Sequence, residues 1–175
     1  MNRSRLKDFV LIGACISLSL LFSMWKIWRL PQGGSVSLEM VPLIIISLLR
    51  GWRSGVVSGV IFSFLHLLQQ APVIFGALQF LLDYPLAFGS AGIAGIFPVR
   101  GKSILPVIFA VISVFASHLF FHFLSGVIFI EKFAPGAVSY RYIYSLLYNG
   151  SYLGVDLVLS MLIVPGVVRR LVKVI

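Results

Sequence analysis

Residues 104–130 read ILPVIFAVISVFASHLFFHFLSGVIFI and contain no Asp, Glu, Lys or Arg. A helix needs about 20 apolar residues to cross the hydrocarbon core of a bilayer, and this stretch is long enough. The whole chain has the same character, since 59% of its 175 residues are hydrophobic and 11% are charged. Soluble domains carry about 25% charged residues, so this chain lacks the polar surface of a water-soluble fold. The sequence therefore predicts an integral membrane protein.

Five further apolar runs lie on either side of this stretch, separated by polar breaks that contain glycine or proline. The predicted spans are residues 9–28, 36–49, 55–68, 75–97, 104–130 and 142–168. The predicted fold class is an all-α bundle of six transmembrane helices, with a turn at 98–102 and a loop at 131–140. No polar segment is long enough to fold separately, so we expect a single transmembrane domain over residues 1–175.

The formal net charge of +9 comes from Lys and Arg residues at the ends of the apolar runs. Six spans place both termini on one side of the membrane. Most of the 14 Lys and Arg residues fall on that side: Arg3, Arg5, Lys7, Arg50, Arg53, Arg100, Lys102, Arg169, Arg170 and Lys173. Cytoplasmic loops carry an excess of these residues, so both termini are predicted to be cytoplasmic. Charge placed in this way indicates membrane topology and no nucleic acid partner.

Ionisable side chains inside a membrane are costly, so those within the predicted spans are candidates for function. Asp83 lies beside Pro85, which has no backbone N–H and frees a carbonyl group, and we expect a polar cavity there. His118 and His122 are four residues apart and share one helix face. Because no third metal ligand is evident, hydrogen bonding and stacking in that cavity is the preferred interpretation over a metal site.

The last predicted span adds Tyr144 and Asn149 at the same depth, in the outer half of the membrane. A buried carboxylate among aromatic rings and an amide suits a small, aromatic, positively charged ligand. Two other ionisable residues are assigned structural roles: His66 is isolated in its span, and Asp156 is expected to hydrogen-bond a neighbouring helix. The tryptophans Trp25, Trp28 and Trp52 are expected to anchor the chain at the membrane interfaces.

Several enzyme signatures are missing from the sequence. It has no glycine-rich Walker loop for ATP and no G-x-S-x-G nucleophile motif. We therefore expect a binding protein without enzymatic activity, metal or cofactor. An intramembrane hydrolase that uses histidine is the alternative from a different class.

Four stretches spread over the chain carry a resemblance: LPQGGS at 30–35, LLDYPLAF at 81–88, HFLSGVIF at 122–129 and YSLLYNG at 144–150. With these motifs the sequence resembles the thiamin-specific S-component, the substrate-binding membrane subunit, of energy-coupling factor transporters. The resemblance implies a thiamin site near the outer face, covered by the segment 32–35. The candidate substrate-binding residues are Asp83, Tyr84, His122, Gly126, Tyr144, Asn149, His118, Gly33 and Ser35.

The sequence departs from the family pattern at three positions in or near this site. Some members have Lys or Arg where His118 stands, tryptophan where Ile130 stands, and an aromatic residue where Gly33 stands. The aromatic rings that stack on the ligand are therefore expected to differ, and Trp28 is one candidate replacement.

S-components act with partners, so the resemblance also implies a membrane coupling protein and two cytoplasmic ATPases, which alone use ATP. Small residues on the first helix, such as Gly13 and Ser17, are candidates for docking that protein. The implied location is the bacterial plasma membrane. An S-component for another vitamin or for a thiamin precursor is the alternative within this class.

Overall fold

The structure is a computed structural model that describes residues 3–97, 99 and 103–172. In chain order the elements are α1 (Arg3–Met24), β1 (Trp28–Arg29), β2 (Ser35–Val36), α2 (Met40–Arg50), α3 (Trp52–Gln70), α4 (Ala77–Leu81), a π-helical turn (Leu82–Leu86), α5 (Ala87–Gly89), a 3₁₀ helix (Ser90–Ile96), α6 (Leu105–Ile128), α7 (Ile130–Phe133), a second 3₁₀ helix (Pro135–Tyr140) and α8 (Arg141–Leu171). The predicted turn at 98–102 lies outside the described residues except for Val99. The same is true of the side chains of Arg3, Arg5, Arg100, Lys102 and Lys173.

Nearly all of the regular structure in the described part of the chain is helical. Three helical stretches there are long and apolar enough to cross a membrane, namely Leu6–Met24, Leu105–Ile128 and Pro135–Leu171. The prediction of an all-helical membrane protein is confirmed at this level. Large apolar side chains also stay outside, with Leu68 82% and Leu162 75% exposed, as expected for a surface in contact with lipid.

The facing ends of the first two predicted spans are misplaced, because a hairpin lies between their helices. α1 ends at Met24 and α2 begins at Met40, while Trp28 pairs with Val36 across an antiparallel ladder. The turn is closed by a hydrogen bond of 2.7 Å from the Leu30 N–H to the Gly34 carbonyl. Gly33 has a φ of 95°, which glycine adopts without steric cost. The hairpin satisfies backbone groups that a continuous helix would otherwise have paired.

The short helix α2 lies at the centre of the bundle. All of its residues from 40 to 48 are buried, and the core side chains of Leu43 and Ile44 have no exposed surface. Pro42 falls in the first turn, where the missing N–H would have no partner in the helix. The opposite end is tied to α1 by an ion pair of 2.7 Å between Asp8 Oδ1 and Arg50 Nε.

The fourth helical segment, residues 77–96, is irregular and not the single helix predicted for 75–97. It changes from α-helix to a π turn at Leu82–Leu86, which contains Pro85, and ends in the first 3₁₀ helix. Glycines bring this segment against α3: an added Cβ at Gly59 would overlap the Phe88 carbonyl. A Cβ at Gly95 would overlap the backbone of Trp52.

The last two predicted spans correspond to α6 and α8, which pack against each other. α6 ends at Ile128, before the predicted end at 130. The predicted loop at 131–140 is also wrong in part, since α7 and the second 3₁₀ helix occupy most of it. Each is too short to leave a helical pattern in the sequence.

Candidate ligand-binding site

A cavity of about 570 Å³ opens beneath the hairpin, between α2, α3, the fourth helical segment, α6 and α8. Its size falls within the range typical of small-molecule sites. All nine candidate substrate-binding residues line it: Gly33, Ser35, Asp83, Tyr84, His118, His122, Gly126, Tyr144 and Asn149. The structure thus brings together residues from the hairpin, the π turn, α6 and α8.

Asp83 enters the cavity from the π turn and is held by two side chains of α6. Its Oδ2 accepts a hydrogen bond of 2.8 Å from the Ser125 hydroxyl, and its Oδ1 lies 3.0 Å from His122 Nδ1. Asp83 and His122 are both mostly buried, with side-chain exposures of 13% and 17%. A buried carboxylate is costly unless its oxygens are paired in this way.

The two histidines continue this network to the backbone. His118 Nδ1 donates to the Ala87 carbonyl at 2.8 Å, and the Nε2 atoms of His118 and His122 are 3.1 Å apart. Together with the bond to Asp83, three hydrogen bonds in series each need one proton. Two neutral imidazoles and a carboxylate supply two protons between them. All three bonds can therefore form together only if the cluster holds one extra proton, which would leave it without net charge.

Asn149 joins α8 to α6 on the neighbouring wall. Its amide donates to the His122 carbonyl of α6 at 3.3 Å, and its oxygen accepts from the Tyr152 hydroxyl of α8 at 2.9 Å. Gly126 on α6 allows this approach, because a Cβ there would overlap the Ser145 hydroxyl. Tyr144 extends the wall outward, where its ring stacks parallel to that of Tyr148.

Two lining residues on the opposite side were not predicted as site residues. Glu39 precedes α2 and His66 lies on α3, and both line the cavity with their facing atoms, Oε2 and Nδ1, 3.6 Å apart. Neither atom has a hydrogen-bond partner. His66, which was expected to have a structural role, thus lies on the wall of the cavity. The acidic residue within a predicted span was a usable signal for Glu39, but nothing in the sequence related it to His66.

Asp156 also lines the cavity, from α8. Its Oδ1 accepts a hydrogen bond of 3.0 Å from the backbone N–H of Ser37. The prediction that Asp156 hydrogen-bonds a neighbouring helix is therefore wrong, since Ser37 lies in the segment between β2 and α2. Trp28 is 55% exposed and does not line the cavity, so its proposed stacking role is not supported.

No group of three His, Cys, Asp or Glu side chains that could hold a metal ion is found among the described residues. What the site offers instead is a set of carboxylates, histidines and tyrosine rings around a partly open cavity. Such walls recognise a small organic ligand by hydrogen bonding and by attraction between a cation and acidic or aromatic groups.

A helical membrane protein with a polar cavity covered by a hairpin belongs to the class of membrane substrate-binding proteins. The sequence model of the family described as "Thiamine transporter protein (Thia_YuaJ)" matches residues 9–175, and the chain belongs to this family. Membership of a transporter family agrees with the expectation of a binding component and not an enzyme.

Three similar proteins carry the name ThiT. The thiamine transporter ThiT of Bacillus subtilis is 32% identical over 173 residues, which cover 87% of this chain and 86% of that protein. The ThiT of Lacticaseibacillus paracasei is 28% identical over 139 residues, covering 71% and 68%. A solved structure of ThiT from Listeria monocytogenes superposes with a TM-score of 0.85 at 21% identity and covers 98% of both chains, which establishes the shared fold.

Proposed function

We propose that this chain binds thiamin in the cavity beneath the hairpin and serves as the thiamin-specific S-component of an energy-coupling factor transporter. The observation that carries the proposal is the Asp83–His122–His118 network on the wall of a partly open cavity in a thiamine transporter family member. The name of the Bacillus subtilis relative supports the same substrate.

The chemistry of thiamin matches the walls of the cavity. Its thiazolium ring carries a permanent positive charge, and its aminopyrimidine ring offers hydrogen-bond donors and acceptors. Asp83 would balance the cation, while His122, Tyr144 and Asn149 would orient the two rings. Tyr84, Gly126, His118, Gly33 and Ser35 would form the remaining contacts proposed from the sequence.

The proposed arrangement in the plasma membrane has six spans within one domain and both termini in the cytoplasm. The Asp8–Arg50 pair supports this arrangement, because the pair joins the start of α1 to the end of α2 at one end of the bundle. The hairpin and the cavity lie at the other end of α2, which would face the outside. Thiamin would enter from there, and no bound cofactor is required.

Transport would require a membrane coupling protein and two cytoplasmic ATPases. The pair Gly13 and Ser17 supports a docking role for α1, because both residues are exposed on one face of that helix. Small residues four apart allow a second helix to approach closely within the membrane.

The test is a calorimetric titration of the purified full-length protein with thiamin. Saturable binding that is strongly weakened by Asp83→Asn supports the proposal. Asp8→Asn is the matched control, since it makes the same chemical change at the far end of the bundle and should bind like the wild type. Trp28 in the hairpin provides a second readout by fluorescence.

The competing proposal is an S-component for another vitamin or for a thiamin precursor. Competition with the isolated aminopyrimidine alcohol and with riboflavin separates the two. Absence of thiamin binding by calorimetry, together with saturable binding of a competitor, would replace the substrate in this proposal. Turnover of a ligand in the absence of ATPase partners would instead favour the hydrolase alternative.

A further inference from the structure

The segment of residues 34–37, which we call the strap, runs from the tip of the hairpin towards α2 and lies on α8. At one end the Gly34 N–H donates to the Tyr148 hydroxyl oxygen at 3.0 Å. At the other end the Ser37 N–H donates to Asp156 Oδ1, also at 3.0 Å. Val36, between them, is 1% exposed. The strap is therefore packed and hydrogen-bonded at both of its ends.

The spacing of α8 matches that of the strap. Tyr148, Tyr152 and Asp156 are four residues apart and follow one helix face, which spans about 12 Å from the first to the last. An extended strap of residues 34–37 covers about 10 Å. Both hydrogen bonds can thus form together. Gly34 packs on the middle of this face, because a Cβ there would come within 2.7 Å of the Tyr152 ring.

The position of Asp156 needs an explanation, since an acidic residue within a membrane helix is costly. Its side chain is buried, with 6% exposed, and its hydrogen bond goes to the strap. The same helix carries Asn149 and Tyr144 on the wall of the cavity. A hydrogen bond from α8 to the strap therefore connects the cover of the cavity to one of its walls.

We propose that Asp156 is a positioning residue that anchors the inner end of the strap over the cavity and so sets how long a bound ligand is retained. The inference rests on the proposed thiamin-binding function. The hairpin residues Gly33 and Ser35 and the carboxylate of Asp83 lie on the same cavity. A ligand between them leaves when the strap lifts, and lifting breaks the Ser37–Asp156 bond.

The experiment measures association and dissociation rates of thiamin by stopped-flow fluorescence with the full-length protein in lipid nanodiscs. Asp156→Asn keeps an oxygen acceptor of the same shape, whereas Asp156→Leu removes it and leaves the Ser37 N–H unpaired. We expect the Leu variant to release thiamin about tenfold faster with little change in association rate, and the Asn variant to stay within about threefold of the wild type.

Two further variants guard against a merely structural effect. Ser160→Ala alters a buried polar residue one turn further along α8, which does not line the cavity, and should leave both rates unchanged. Gly34→Ala displaces the strap from Tyr152 and should accelerate release even if Asp156→Leu fails to fold. Wild-type release rates in both Asp156→Leu and Gly34→Ala would overturn the proposal, and so would release from Asp156→Asn as fast as from Asp156→Leu.

A measurement without ligand distinguishes failure of the anchor proposal from failure of thiamin binding. Nitroxide labels at Arg29→Cys and Ser151→Cys, in a Cys15→Ala background, report the distance from the hairpin to α8. Asp156→Leu should broaden that distance distribution relative to Asp156→Asn. Broadening in a protein that does not bind thiamin supports the anchor and refutes the substrate, whereas identical distributions refute the anchor.

Discussion

Asp83→Asn is expected to cause the largest single loss of thiamin affinity. In the native protein both oxygens of Asp83 accept hydrogen bonds, at 2.8 Å from Ser125 and 3.0 Å from His122. Asparagine presents an NH₂ group to one of these donors and removes the negative charge beside the proposed cation site. Truncating one partner of a buried hydrogen-bonded charge pair costs about 2–5 kcal/mol. The variant can lower this cost in part if its histidines give up the extra proton of the network. We therefore expect the affinity for thiamin to fall about 30- to 1,000-fold.

Calorimetry on the wild type and three variants measures this effect. Ser125→Ala removes one neutral donor and leaves the charge in place, so it should weaken binding by less than about tenfold. Asp8→Asn should not change it. The electrostatic reasoning is refuted if folded Asp83→Asn binds thiamin within about threefold of the wild type. It is equally refuted if Ser125→Ala costs as much as Asp83→Asn.

Three other expectations follow from the same contacts. Gly126→Ala should destabilise the protein by about 1–3 kcal/mol in thermal unfolding, because its Cβ overlaps Ser145; an unchanged melting temperature would show that α6 and α8 can separate freely. Binding of a cation beside Asp83 should displace up to one proton from the histidine network, so binding enthalpies measured in phosphate and Tris at one pH should differ; equal enthalpies would contradict this. Asp8→Asn should cost less than about 1 kcal/mol, because Asp8 is 46% exposed in its pair with Arg50.

Long apolar runs made the main helices predictable, whereas short elements were not. Residues 104–130 and 142–168 are apolar over many turns, and α6 and α8 lie there. The hairpin strands have two residues each, which is too short for an alternating pattern. The ends of α1 and α2 were therefore misplaced. The π turn depends on how the chain accommodates Pro85 among its neighbours, which local sequence does not specify.

In the site, too, contacts within one helix could be predicted from the sequence, whereas contacts between different elements could not. The shared face of His118 and His122 follows from a spacing of four residues, and the structure has their rings in contact. The contact of His122 with Asp83 and that of Glu39 with His66 each join residues from different elements, so they depend on how the helices are rotated against one another. The sequence alone does not specify those rotations. Predicted ligand contacts remain predictions until binding is measured.

The glycine contacts between α3 and the fourth helical segment have a mechanical consequence. Backbone approaches backbone at Gly59 and Gly95, so at these two points no side chain separates the elements. We therefore expect α3 and the fourth helical segment to move as one rigid unit. Access to the cavity must then come from the hairpin side, where the cover is fastened to α8 by single hydrogen bonds that can break and reform one at a time.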